Sequence, residues 1–462
     1  MRPRRIILDP MNRVASTVLL ATLLAACTQS STEPTTAGST VDTTAATVTA
    51  TTEAAIPTRM QMDWFVRVIN GGPLSEEVYE ERFADVFRLQ VPYEAQFSPI
   101  VAQLEATPGD WILVSFIEQT PEAAVGIVAA GDERIQVSIP VNPDPPHKIT
   151  GLFVSPSGLA STPDSFENAV TRLEDLGDLW MLAAQVGDGE CIPIEAVRED
   201  EEMPLGSVFK LFVLETLTRA VEQGDVSWDD EVVIRDELKS IPSGILQDEP
   251  HGTVRSVREV AELMISISDN TATDHLIDLL GRQKVEATIR DLGLARPELN
   301  IPFLTTREFA ALKVGPSAGL RAQYVAADEA GKRAILDQIS DITAADIPVL
   351  DFVEPTDPDT LEWFATPVDM CRVLAGLWQR GDGPVRDILT KNPGVAPPPG
   401  IWERVAFKGG SEPGLLAVSW LVEAADGKVY VLTGSILDSG SLIDDTEGAL
   451  LFAAARDLMA TE

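Results

Sequence analysis

Pro204-Leu205-Gly206-Ser207-Val208-Phe209-Lys210 opens an apolar helical stretch, and its reading decides the fold. A spacing of three puts Ser207 and Lys210 on one face of a helix. A serine hydroxyl is a weak nucleophile at neutral pH. An amine beside it in a partly desolvated pocket can lose its proton and act as its base. At the amino end of the helix the Ser207 backbone N–H has no intrahelical acceptor, so it can donate to an oxyanion. Leu211, Phe212, Val213, Leu214 and Leu217 make the helix apolar nearly all round, the pattern of a helix buried at a domain centre. Alone, such a tetrad arises by chance in many proteins and is more often a helix cap followed by a surface lysine.

Two further motifs follow in order. The first lies in Ile265-Ser266-Ile267-Ser268-Asp269-Asn270-Thr271-Ala272-Thr273-Asp274, and the second is Phe407-Lys408-Gly409-Gly410-Ser411 on an expected edge strand. Taken together, Ser-x-x-Lys, Ser-Asp-Asn and Lys-Gly-Gly resemble the motif set of class A β-lactamases and penicillin-binding proteins, over a stretch from about Ser165 to the carboxy terminus. The resemblance implies a serine hydrolase with catalytic residues Ser207, Lys210, Ser268 and Lys408. Ser268 would relay a proton to the leaving amine, and Lys408 would hold a substrate carboxylate and polarise Ser268. Asn270 would bind the substrate amide or orient Lys210, and Asp269 would be structural. Gly410 and Ser411 would line the substrate site, the Ser411 N–H completing an oxyanion hole with that of Ser207.

Two departures from the family pattern bear on activity. Gly409 stands where the family has Thr, which removes a hydroxyl facing the substrate carboxylate and weakens binding by about 1 kcal/mol. The deacylating carboxylate of class A enzymes falls on Arg296, beside Pro297-Glu298-Leu299-Asn300, so Glu298 and Glu308 are the candidates for a deacylation base. Without such a base an acyl-enzyme persists, the behaviour of a slow β-lactamase, a penicillin-binding protein or an esterase. The stretch from Gly315 to Asp359 either roofs the cleft or decorates the surface. Cys191 and Cys371 either pair in an oxidising compartment or are buried as thiols. His251 and His275 leave a Ser-His-Asp triad as an alternative to Ser-Lys chemistry.

Ahead of this domain, Arg2, Arg4, Arg5 and Arg13 precede an apolar run from Ala15 to Ala26 that ends at Cys27. The pattern predicts a signal peptide over 1–27. Leu24-Ala25-Ala26-Cys27 resembles a bacterial lipobox, which implies lipidation of Cys27 and an extracytoplasmic protein anchored to the cell membrane. A Thr-, Ala- and Ser-rich stretch over 28–58 reads as a disordered tether. Residues 59–155 pass from helices to a strand meander, Trp111–Glu118, Ala123–Ala130, Arg134–Val141 and Lys148–Val154. That order resembles the nuclear transport factor 2-like α+β fold of steroid isomerases and polyketide cyclases. An accessory domain ahead of a serine hydrolase domain at 156–462 also resembles the β-lactamase-like proteins of clavam biosynthesis, which favours esterase chemistry. The expected fold is therefore α/β (α+β): a sheet with helices on both faces, preceded by the small α+β domain.

Composition narrows the partners. A net charge of −37 repels nucleic acid and anionic lipid head groups, and three Cys with three His are too few for a multi-thiolate metal site. No cofactor or metal is expected. The leading reading is a lipid-anchored hydrolase whose partner is a small-molecule substrate: a β-lactam, a peptidoglycan-like peptide or a small ester. The alternative is a non-catalytic, ligand-binding envelope lipoprotein that keeps the fold.

Overall fold

The structure is a computed structural model that describes residues 57–461, apart from 85–86, 89–90, 120–122, 132, 144, 157–161, 188, 242, 349–351, 382 and 399. The expected leader over 1–27, with Cys27, and the tether up to residue 56 lie outside the described residues. Among the described residues packing separates two compact units, one drawn from those up to Leu104, from Gln119–Ala124 and from Ser138–Phe153, the other from Glu105–Glu118, Val125–Val137 and those from Val154 onward.

The amino-terminal part begins with helices α1 (Pro57–Val68), α2 (Glu76–Arg82) and α3 (Ser98–Glu105). Ser75 caps α2 by accepting the Val78 N–H at 3.3 Å. Strands β1 (Ile112–Gln119), β2 (Ala123–Ala130), β3 (Glu133–Pro140) and β4 (Phe153–Pro156) form a sheet in that order. One expectation is corrected here. The run Lys148–Val154 is not a continuous strand: Ile149 makes isolated bridges to Phe83 and Val141, and the ladder resumes only at Phe153. Gly151 interrupts the run, having no side chain to pack on the sheet.

The carboxy-terminal part is built on a five-stranded antiparallel sheet. Helix α4 (Phe166–Glu174) leads into β5 (Asp178–Gly187) and β6 (Glu190–Val197), and the chain returns at its end as β7 (Arg404–Glu412), β8 (Leu415–Glu423), β9 (Val429–Leu437) and helix α5 (Asp445–Leu458), in the order β7-β8-β9-β5-β6. Side chains alternate across it with a period of two. Leu179, Met181, Ala183, Val418, Trp420 and Leu432 enter the core shared with α4 and α5. Trp180, Leu182, Ala184, Ala417, Leu421 and Val431 enter the larger core on the opposite face. Burying each large apolar side chain contributes about 1.5–3 kcal/mol, so the sheet is held from both sides.

All helices between β6 and β7 belong to the interposed segment. Its central helix, Lys210–Gln223, is buried from Lys210 through Thr218, as its apolar sequence demands. It starts from a 3₁₀ turn, Gly206–Phe209, rather than with Ser207 already in α-helix. Helices Val257–Ser266 and Asn270–Leu280 pack beside it, and both are capped by side chains, Ser256 in a capping box and Asp269 on the Ala272 N–H. Cys191 and Cys371 form a disulfide that ties β6 to helix Pro367–Gln379.

Candidate active site

The three motifs converge because two of them sit at helix starts and the third lies along β7, the edge strand of the sheet. Strand β7 carries Lys408 on the face that Ala406 gives to the helical core, so alternation turns its side chain toward the central helix. Ile267, Ser268 and Asp269 form the three-residue link between helices Val257–Ser266 and Asn270–Leu280. Ser268 has φ of +59°, a left-handed backbone that is rare for a residue with a Cβ and that concentrates at functional sites.

Lys210, wholly buried, reaches that link. Its Nζ donates to the Ser268 carbonyl oxygen at 2.6 Å, to Ser268 Oγ at 3.0 Å and to Asn270 Oδ1 at 2.7 Å. Lys408 Nζ donates to the same Ser268 Oγ at 3.0 Å and to the Gly409 carbonyl at 2.6 Å. Ser268 Oγ is therefore shared by two buried amines. Burial pushes Lys210 down to about 7, against the opposing pull of the Asp269 and Asp274 charges. Burial also lowers Lys408 well below the usual lysine range, and the neighbouring Lys210 adds to that.

Asp269 and Asn270 fix the link. The Asp269 carboxylate accepts the N–H groups of Ala272, Ile245 and Leu246 at 2.7, 2.7 and 2.9 Å. Asn270 Nδ2 donates to the Ile241 carbonyl at 3.0 Å, which orients its Oδ1 toward Lys210. Asp274 accepts from the Thr306 N–H, the Thr306 hydroxyl and the Arg307 N–H, and burial raises its carboxyl to about 6.

Ser207 is half-buried on the 3₁₀ turn, three residues before Lys210. Its hydroxyl has no hydrogen-bond partner among the described residues. The turn lies against β7 with almost no room between the backbones: a Cβ on Gly410 would stand 2.3 Å from Ser207 N, and one on Gly206 would stand 3.1 Å from Ser411 N. Gly206 also needs its φ of +45°, which a side chain would resist. The Ser207 and Ser411 backbone nitrogens are thus brought to neighbouring positions.

The remaining candidates are engaged elsewhere. Glu298, on the surface turn Pro297–Asn300, is paired with Arg296 at 3.0 Å. Glu308 closes a capping box with Thr305 and is paired with Arg282 at 2.6 Å. His275 bonds Thr271 O through Nδ1 and accepts the Arg235 N–H on Nε2, while His251 is exposed and accepts the Asp236 N–H, so neither ring is directed to Ser207 by these bonds. At position 409 a Cβ would lie 2.7 Å from the Phe407 ring, so the glycine accompanies an aromatic ring that occupies side-chain space.

Three buried charged residues escaped the sequence reading. Glu362 Oε2 accepts the N–H groups of Gly206 and Trp363 at 3.1 and 2.9 Å, and Lys313 grips both oxygens of Glu412 at 2.7 and 2.9 Å. Glu412 directly follows the third motif, which was the one available signal. Glu362 and Lys313 lie in unpatterned sequence, and only folding brings them to the site.

A five-stranded sheet with helices on both faces and an interposed helical segment bearing Ser, Lys, Ser and Lys defines a β-lactamase-type fold. Residues 168–433 match the beta-lactamase enzyme family over more than half of the chain, and the chain belongs to that family. Among curated proteins, Beta-lactamase AST-1 of Nocardia asteroides is 29% identical over 123 residues, which make up 26% of this chain and 38% of that protein. Among solved structures, a beta-lactamase from Sphaerobacter thermophilus is 21% identical with a TM-score of 0.45, covering 63% of this chain and 94% of that one. PBP-A is 18% identical with a TM-score of 0.42, over 64% of this chain and 97% of its own. An ancestral class A beta-lactamase is 20% identical with a TM-score of 0.45, over 63% and 98%.

Proposed function

We propose that this protein is an envelope-anchored serine hydrolase that works through an acyl-enzyme on Ser207. Its substrate would be a β-lactam, a peptidoglycan-like peptide or a small ester. The observation that carries the reading is the sharing of Ser268 Oγ by Lys210 and Lys408, each at 3.0 Å. A binding cleft has no need of two buried amines on one hydroxyl, whereas proton relay has.

Neutral Lys210 retains two N–H groups, enough for the Ser268 carbonyl and Asn270 Oδ1, and has a lone pair for a hydroxyl proton. Ser207 Oγ then bonds to the acyl carbon while its proton passes to Lys210. The leaving nitrogen or oxygen takes a proton from Ser268, which Lys210 replaces. The oxyanion is met by the N–H groups of Ser207 and Ser411. Water hydrolyses the resulting ester and restores Ser207. Because Glu298 and Glu308 are both held in ion pairs, deacylation is the slow step, and β-lactam turnover is weak.

The Cys191–Cys371 disulfide supports an oxidising, extracytoplasmic setting. Lipidation at Cys27 and a nuclear transport factor 2-like accessory domain at 59–155 complete the proposal. Intact-mass measurement after incubation with a penicillin, a cephalosporin and p-nitrophenyl acetate tests the chemistry, with Ser207→Ala as control. An adduct on the native protein alone is expected. No adduct and no turnover with any of the three would favour the non-catalytic binding module.

A further inference from the structure

Behind the Ser207 turn lies a buried charge cluster that the acyl-transfer steps do not use. Glu362, 5% exposed, directs one carboxyl oxygen at the N–H groups of Gly206 and Trp363, while its other oxygen is buried with no hydrogen-bond partner among the described residues. A buried carboxyl with an idle oxygen is costly, so its retention next to the turn asks for a reason. On the strand side, Glu412 immediately follows Ser411 and is locked by Lys313, wholly buried, through two short bonds. Glu362 therefore grips the backbone of the residue before one oxyanion donor, Ser207, while Glu412, the residue after the other donor, Ser411, is anchored through its side chain by Lys313.

We propose that Glu362, backed by the Lys313–Glu412 pair, is a positioning residue that holds the Gly206–Ser207 turn against β7 so that the two oxyanion donors stay aligned. The inference rests on Ser207 being the nucleophile. Gly206 makes such a strut necessary, because a glycine at positive φ lowers the cost of that backbone but does nothing to hold it there. Burial, with the nearby Glu412 carboxyl adding to it and Lys313 opposing it, raises Glu362 well above the usual carboxylate range, and burial also raises Glu412, to about 7, against the pull of Lys313. Glu362 is asked only to accept the Gly206 N–H, a role that a glutamine carbonyl can reproduce.

Two variants and two measurements test this. Glu362→Gln keeps an oxygen for the Gly206 N–H, and Glu362→Leu removes it. Acylation by a penicillin, followed by intact mass against time, should fall about tenfold to a hundredfold in Glu362→Leu, as expected for a misplaced rather than deleted donor, and recover to within about threefold of native in Glu362→Gln. Lys313→Met/Glu412→Leu, which removes both charges without stranding one, should slow acylation in the same direction. Hydrogen exchange of the peptide over 203–209, read by mass spectrometry without substrate, should quicken by about tenfold or more in Glu362→Leu and not in Glu362→Gln. Unchanged exchange in Glu362→Leu, or acylation equal to native, overturns the strut. Faster exchange in Glu362→Leu, in a protein whose native form acylates with nothing, would uphold the strut and retire the Ser207 chemistry instead.

Discussion

Ser268 is the residue on which the site turns. Its left-handed backbone aims both its carbonyl and its hydroxyl at Lys210, and Lys408 takes the same hydroxyl from the other side. Replacing it with alanine leaves two buried amines without their shared oxygen, so Ser268→Ala should lower the acylation rate about 10²-fold or more, measured by single-turnover mass spectrometry. The pH dependence has a definite sign. In the proposed mechanism Lys210 would serve as base only when neutral, and burial pushes it down to about 7. Acylation should therefore rise with pH through neutrality to a plateau, and fall about tenfold per unit on the acid side. A rate flat through neutrality would show that Lys210 is not the titrating base.

At the scale of elements, helix ends and a strand edge carry the functional groups. Asp269 caps Asn270–Leu280 and also accepts two N–H groups from the Ile245–Leu246 segment, tying a loop to a helix start. Asp269→Ala strands three backbone donors and should cost about 3 kcal/mol, read from chemical denaturation. A midpoint unchanged by the substitution would rule out that structural role. On β7, Gly409 accompanies the Phe407 ring, which itself lies 4.7 Å from Trp420 between ring centroids. Gly409→Thr should therefore fail to gain affinity for a carboxylate-bearing β-lactam and should destabilise the strand. Gly409→Thr/Phe407→Ala should recover part of that affinity in a competition assay. If the single variant gained affinity on its own, the ring would not be the obstacle.

For the whole molecule, the sheet gathers strands from both ends of the carboxy-terminal domain, and the disulfide closes a separation of 180 residues between β6 and the helix before the third motif. A cross-link over so long a span chiefly restrains the unfolded chain, so Cys191→Ser/Cys371→Ser should lose about 2–4 kcal/mol and melt earlier. Reductant should lower the melting point of the native protein and leave the double variant unmoved. Equal melting of the two proteins would mean the bridge contributes nothing.

What was legible in the chain follows from locality. Ser207 with Lys210 at a spacing of three, the strand meander between Trp111 and Val141 and the apolar central helix depend on neighbours a few residues away, so their residue types announce them. Cys191 with Cys371 left two readings open, because nothing in their spacing fixes proximity. The sharing of Ser268 by two lysines, the ion pair of Glu308 with Arg282, and the grip of Glu362 on Gly206 were decided only by tertiary structure. Each joins groups far apart along the chain, or depends on which face of an element is buried. Periodicity records that an element has a buried face; which distant side chain meets it there is set by packing alone.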